Sequence, residues 1–222
     1  SKQEKFMEYI KKPMDIEKKS FEIITEELGE KVEKFSEDEL LVVKRVIHTT
    51  ADFEYADLIE FKNNPIEMGR EAIRNGAKIY CDTSMIANGL SKISLKKFEV
   101  EAYSLVSDKE VSEIAKERKI TRSIVAMEKA ILDEKTGIFL IGNAPTALFK
   151  LMEFVKETGI KPKLVVGVPV GFVGAAESKK ELENFDFPYI RINGRKGGST
   201  VAVSILHGIL YGMNEFKDRL DG

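Results

Sequence analysis

Three stretches decide how this chain is read: GIFLIGNAP at 137–145, LVVGVPVGFVGAA at 164–176 and YIRINGRKGGS at 189–199. Each is a short apolar run that breaks at a turn rich in small residues and passes into a helical segment. The first helix runs to Thr158, the second through Ala176 to Asn184, and the third from Ser199 to about Met213. Strand–loop–helix units in series imply right-handed crossovers and a parallel sheet with helices on both faces. The fold expected is α/β: three layers, α/β/α, with a mainly parallel sheet. Its glycine-rich βα loops lie at the C-terminal edge of the strands, and its N-terminal part is helical. Residues 1–222 are read as a single domain.

The half of the chain before these units predicts mostly helix. In 13–28 a stripe of Ile16, Ile24 and Leu28, joined by Phe21, gives a helix that Gly29 is placed to end. Ser36 with Glu39 three residues on is a capping box for a helix that turns Leu40, Val43 and Ile47 inward. Asn64-Pro65 starts another helix, closed by Gly76, and a short strand follows at 78–81. The stretch 98–106 reads as strand and 107–119 as helix. Thr121 then caps a helix carrying Ile124, Val125, Ile131 and Leu132.

The 222 residues are 43% hydrophobic and 32% charged, an ordinary globular composition with length enough for a sizeable core. Lys and Arg number 35 against 37 Asp and Glu, a net charge of −2, which argues against nucleic acid as the main partner. Any anion site has to be built locally. The one cysteine, Cys81, can form no intramolecular disulfide and suits a reducing compartment. No apolar signal core stands behind the opening Ser-Lys-Gln-Glu-Lys, and the longest apolar stretch, 164–176, is cut by glycines and too short to span a bilayer. The expectation is a soluble, cytoplasmic protein without a membrane partner.

The three loops leave the C-terminal ends of their strands and so gather on one edge of the sheet, where open α/β folds bind ligands. Each runs into a helix N-terminus, whose unpaired N–H groups and dipole favour an anion, and glycine lets a ligand come close to the backbone. Arg195 and Lys196 lie inside the third loop and Arg191 just before it, so carboxylates or phosphates are the partners expected there. Glycines that only make tight turns would explain the loops equally well. Nucleotide motifs are lacking: GRKGGS at 194–199 does not have the Gly-Lys-Ser/Thr ending of a phosphate-binding loop, and no Gly-x-Gly-x-x-Gly follows a strand.

Of the two histidines, His207 lies among Val203, Leu206 and Leu210 in the last helix and reads as a packed residue. His48 falls at the C-terminus of the Ser36-capped helix, where the dipole favours a cationic imidazole able to donate a proton near neutral pH. Its bland reading is a C-terminal cap. Ser20 interrupts the stripe between Ile16 and Ile24, where a serine ordinarily bonds back to its own helix. Arg122 follows the Thr121 cap, where a cation gains nothing from the dipole, which suggests an anionic partner or a surface ion pair. Two separate histidines and one cysteine supply no local cluster of metal ligands.

Seven segments fall in one order along the chain: IKKPMDIEKKSFEII at 10–24, Arg45-Val46-Ile47-His48, Cys81-Asp82-Thr83-Ser84-Met85, Thr121-Arg122-Ser123, Ile141 to Leu148, VGVPVGFVGAAESK at 166–179, and Gly194 to Ser199. In this order the chain resembles the precorrin-8X and cobalt-precorrin-8 methylmutases of cobalamin biosynthesis, from Ile10 to about Leu210. The resemblance implies an isomerase that moves a methyl group from C11 to C12 of the macrocycle by a [1,5] shift, consuming no methyl donor or redox cofactor. It implies that His48 is the catalytic histidine, protonating or hydrogen-bonding the ring C region. It implies that Ser20 and Arg122 line the same site, and Thr121, Asn143, Arg195, Gly197 and Gly198, in the loops and helix starts, are the further substrate-binding candidates. A homodimer with the site near the interface is implied as well, and any cobalt belongs to the substrate rather than to the protein. The chain departs from the expected pattern at Ala51, where glycine would be anticipated.

A corrinoid precursor carries many carboxylates and a broad apolar face, which suit glycine-rich helix starts, scattered arginines and apolar loop residues such as Phe172 and Val173. Two other functions remain open at this point. One is a corrinoid carrier with the same pocket and no chemistry. The other is an unrelated α/β enzyme acting on a phosphorylated metabolite.

Overall fold

Alternation along the central strands divides the interior in two. The structure is a computed structural model that describes residues 9–213, so the opening Ser1–Lys5 stretch lies outside it. In chain order the elements are α1 (Pro13–Leu28), α2 (Glu37–Thr50), the single turn α3 (Tyr55–Leu58), β1 (Ile59–Lys62), α4 (Pro65–Arg74), β2 (Lys78–Cys81), α5 (Ser84–Gly89) and α6 (Lys92–Lys97). There follow β3 (Ala102–Tyr103), α7 (Lys109–Arg118), α8 (Arg122–Leu132), β4 (Thr136–Ile141), α9 (Pro145–Thr158), β5 (Leu164–Gly167), α10 (Ala175–Glu181), β6 (Tyr189–Ile192) and α11 (Ser199–Tyr211). One sheet has the order β1-β6-β5-β4-β2-β3. The five strands β2 to β6 are parallel, and β1 runs antiparallel to β6.

Ile138, Leu140, Val166 and Ile190 face one cluster with residues of α2, α4, α5 and α11. Phe139, Ile141, Val165 and Tyr189 face the other, built with α7, α8 and α9. This period of two, apolar on both faces, is what a doubly covered parallel sheet demands. The α11 sequence is apolar around most of its circumference because the helix is enclosed: it lies against β4 and β5, α2 packs along it, and α1 packs on α2. The N-terminal helices therefore form an outer shell on that face.

Local signals set several boundaries as read. The Ser36 hydroxyl accepts from Glu39 N–H at 3.2 Å while the Glu39 carboxylate accepts from Ser36 N–H at 2.9 Å, the reciprocal capping box. Gly29 ends α1 with a positive φ of 54°, and Thr121 caps α8. Other expectations need correcting. The strand anticipated over 98–106 is only Ala102–Tyr103, because α6 runs on to Lys97 and Glu99 turns the chain with φ 53°. Strand β1 went unread: its Ile-Glu-Phe-Lys alternation buries Ile59 alone, as befits a short edge strand. Ile16 and Leu132, expected on inward stripes, are 44% and 76% exposed at the outlying ends of their helices.

Candidate active site

The loops after β4, β5 and β6 meet at the C-terminal edge of the sheet, backbone against backbone. A Cβ on Gly142 would stand 2.8 Å from Ser199 Cα and 2.9 Å from Gly198 O. Gly197 has φ 154°, and a side chain there would run into the Val168 carbonyl oxygen. Gly198 N–H donates to that same oxygen at 2.9 Å, and Gly171 N–H donates to Arg195 O at 3.0 Å. Glycine is thus required at 142 and 197 so that loops can touch each other. The expectation that these glycines admit a ligand to the backbone is corrected to that extent.

The first loop also holds its own anion. The Asp82 carboxylate, just beyond β2, accepts from the N–H groups of Gly142, Asn143 and Ala144 at 2.9, 3.0 and 2.7 Å. Burial pushes the Asp82 carboxyl pKa up, against the pull of the three amides. The helix-start site expected to recruit a substrate carboxylate is filled from within the chain. Beside it, Thr83 Oγ1 lies 3.0 Å from Ser199 Oγ, and Thr121 Oγ1 lies 3.3 Å from Thr146 Oγ1. The N-termini of α5, α8, α9 and α11 are thereby gathered at one edge.

Most basic groups around the third loop have internal partners. Arg191 is buried on β6. It donates to Glu60 Oε2 at 3.1 and 2.6 Å, to Glu183 at 2.9 Å and to the Lys179 carbonyl at 2.9 Å. Burial alone would lower its pKa, but the two carboxylates outweigh it and the net shift is upward. Lys179 is fully buried and its Nζ donates to Lys196 O at 2.8 Å; desolvation without a carboxylate pushes its pKa down to about 8. Lys196 pairs with Asp52 at 2.6 Å and Glu54 at 3.4 Å, and its hydrogen bond holds the Asp52 carboxyl below the usual range. Arg122 and Arg195 remain. Both are exposed, and neither forms an ion pair among the described residues; the Arg195 guanidinium lies 5.2 Å over the exposed Phe172 ring. Asn143 is exposed too, with its amide side chain unpaired among the described residues.

His48 and Ser20 stand on helices rather than in these loops, on α2 and α1. The Lys196–Asp52 pair ties the segment just after α2 to the third loop, so the His48 end of α2 is fastened to the loop edge. His48 is exposed, its ring stacked on Phe21 at 5.2 Å, and its nitrogens make no hydrogen bond among the described residues. It does not cap α2: Ala51 N–H bonds Ile47 O at 2.7 Å and Thr50 Oγ1 bonds Val46 O at 2.9 Å. Ala51, at the position where glycine was anticipated, is left-handed at φ 55°, a conformation that glycine adopts more readily. The half-buried Ser20 hydroxyl likewise makes no bond back to its helix among the described residues, unlike Thr25, which bonds Phe21 O at 2.7 Å. Both bland readings therefore fail in this structure. His207 keeps the packed role expected of it: half-buried, it accepts Ser91 N–H at 3.0 Å.

The family model for precorrin-8X methylmutase matches residues 15–212. The chain belongs to that family. It is similar to the cobalt-precorrin-8 methylmutase of Priestia megaterium, 47% identical over 89% of this chain and 87% of the relative. It is similar also to that of Methanocaldococcus jannaschii, 45% identical over 91% and 95%. Among solved structures, the precorrin-8X methylmutase of Thermus thermophilus superposes with a TM-score of 0.80 at 41% identity, covering 88% of this chain and 94% of that one. The methylmutase is an isomerase, as the resemblance implied. The matched span contains every candidate site residue named above.

Spacing alone missed Asp82, Lys179 and Glu60 as supports of the site, and gave Phe21 and Arg45 no role beside His48. Asp82 carried the one available signal, a charge directly after a buried strand. Its partners are 60 to 62 residues away, beyond the reach of any local pattern.

Proposed function

We propose that this methylmutase converts cobalt-precorrin-8 to cobyrinate by moving the C11 methyl group to C12 on the same face of ring C. The match over residues 15–212 carries the reading, and the relatives at 47% and 45% identity bear the cobalt substrate in their names. The shift is intramolecular: the C11–methyl bond breaks as the C12–methyl bond forms, and no electrons leave the macrocycle. His48 lends a proton or hydrogen bond to the ring C region as the π system reorganises and takes it back at the end. An exposed ring whose nitrogens make no hydrogen bond among the described residues, in the last turn of α2, suits that task. Arg122 and Arg195 bind peripheral carboxylates, with Asn143, Gly197 and Gly198 shaping the rim between them and Thr121 holding the start of α8. Ser20 hydrogen-bonds the substrate beside Phe21.

Cobalt belongs to the macrocycle, and the protein contributes no cofactor of its own. Phe172 and Val173, 80% and 91% exposed at the tip of the second loop, supply apolar cover for the corrin plane next to the partner subunit of a homodimer. The single domain works in the cytoplasm, where its one buried cysteine stays reduced, and nucleic acid and membrane are not partners. The test is an anaerobic absorption time course with cobalt-precorrin-8 and with precorrin-8X, wild type beside His48→Ala. Conversion by wild type, with turnover of the variant lower by about 10³-fold, supports the reading. Tight binding of both compounds by wild type without spectral change would overturn it in favour of a carrier.

A further inference from the structure

A continuous stack joins the two histidines of the chain. The His48 ring lies 5.2 Å from Phe21 at an interplanar angle of 29°. The Arg45 guanidinium sits 4.7 Å from the Phe21 centroid and 5.0 Å from that of Tyr211. Tyr211 in turn stacks on His207 at 5.1 Å and 20°. The column crosses three helices: Phe21 from α1, Arg45 and His48 from α2, Tyr211 and His207 from α11. Arg45 and His48 are three residues apart, so both project from one face of α2.

Arg45 is the fixed point of the column. Its Nη1 donates to Glu17 at 2.7 Å, so a carboxylate of α1 and two ring faces together determine where the guanidinium lies. The far end is anchored by the Ser91 amide on His207 Nε2 at 3.0 Å. Burial and the Arg45 charge push the His207 pKa down to about 4, so that ring is a neutral acceptor at neutral pH. At the near end the Phe21 stack is the one ring contact of His48 among the described residues, and no hydrogen bond or ion pair accompanies it there. We infer that Arg45 is a positioning residue for His48: held by Glu17, its guanidinium fixes the Phe21 ring, and that ring aims the imidazole at the substrate. This rests on the assignment of the proton step to His48.

Because the chain has two histidines, its two imidazole Cε1–H resonances report separately on the two ends of the column. Arg45→Met is expected to move both resonances, and Phe21→Leu to move that of His48 alone, in spectra of histidine-labelled protein at one pH. With the substrate that wild type converts, kcat of Arg45→Met should fall about 10–100-fold while KM stays within about threefold, the mark of a misaimed group. If Arg45→Met does not fold, Arg45→Lys takes its place, since an ammonium keeps the charge but cannot lie flat between two rings. An unmoved His48 resonance in the Arg45 variant overturns the inference, whatever its rate. So does a kcat within twofold of an active wild type. Wild type that converts neither substrate would instead sink the proposed reaction, and the resonances would still decide the positioning role.

Discussion

At the loop edge the Asp82 carboxylate accepts three amide hydrogens and Arg191 serves two carboxylates, whereas at the end of α2 the His48 imidazole is held by a ring face and shares neither nitrogen with the described residues. The contrast separates two jobs. Directional, buried hydrogen bonds make a rim of fixed shape, because leaving any of those groups unpaired costs about 1–3 kcal/mol or more. Stacking orients a ring while leaving its edge available to react. Among the described residues at the edge, Arg122 and Arg195 are the arginines without an ion pair, so their charge is left for an outside partner. The edge is therefore less of an anion trap than its count of basic residues suggests.

The rim can be broken at Asp82. Asp82→Ala strips the acceptor from three amides, two of them on buried residues, and should lower stability by on the order of 3–5 kcal/mol in urea unfolding. A loss below about 1 kcal/mol would mean the loops hold their shape without it. The stacked end is sensitive to acid through His207. Its folded pKa of about 4 lies below the ordinary 6.5, so its contribution is complete above pH 6.5, declines as pH falls toward 4 and is gone below that. The decline amounts to at most on the order of 3 kcal/mol. Comparing wild type with His207→Gln, whose side-chain oxygen can still accept Ser91 N–H, isolates this part of the acid response; parallel curves for the two proteins would refute it.

Removing either unpaired arginine should spare the fold and weaken the substrate. Arg122→Ala and Arg195→Ala are each expected to raise KM about tenfold or more, with melting temperatures within a degree or so of wild type. Unchanged KM in both variants would assign the substrate carboxylates to other residues. The smallest effect is at Ala51. With φ 55° it occupies a left-handed position that glycine takes without strain, so Ala51→Gly should stabilise the chain by up to about 1 kcal/mol. Destabilisation by that amount would show that unfolded-state entropy outweighs the relief.

Where a signal is local, it could be read directly. The β4 to β6 units, the Ser36 box, the Thr121 cap and the place of His48 at a helix end all follow from apolar period and cap chemistry within a few residues. The antiparallel β1 was hidden because an edge strand with one buried residue leaves almost no hydrophobic signature. For the loop glycines, spacing cannot distinguish room for a ligand from a tight turn or from room for another loop. That Gly142 meets Gly198 and Ser199 is visible only once the strands stand side by side.

The sequence by itself determined the parallel α/β architecture, the edge on which the loops collect and the family whose segments it carries, since periodicity, capping and motif order are properties of neighbouring residues. Tertiary structure decided which polar groups are used up and which stay free. Asp82 finds its amides 60 to 62 residues away, Arg191 finds Glu60 across 131 and Lys196 finds Asp52 across 144. Such pairings form only when the packed sheet brings distant charges within hydrogen-bond reach.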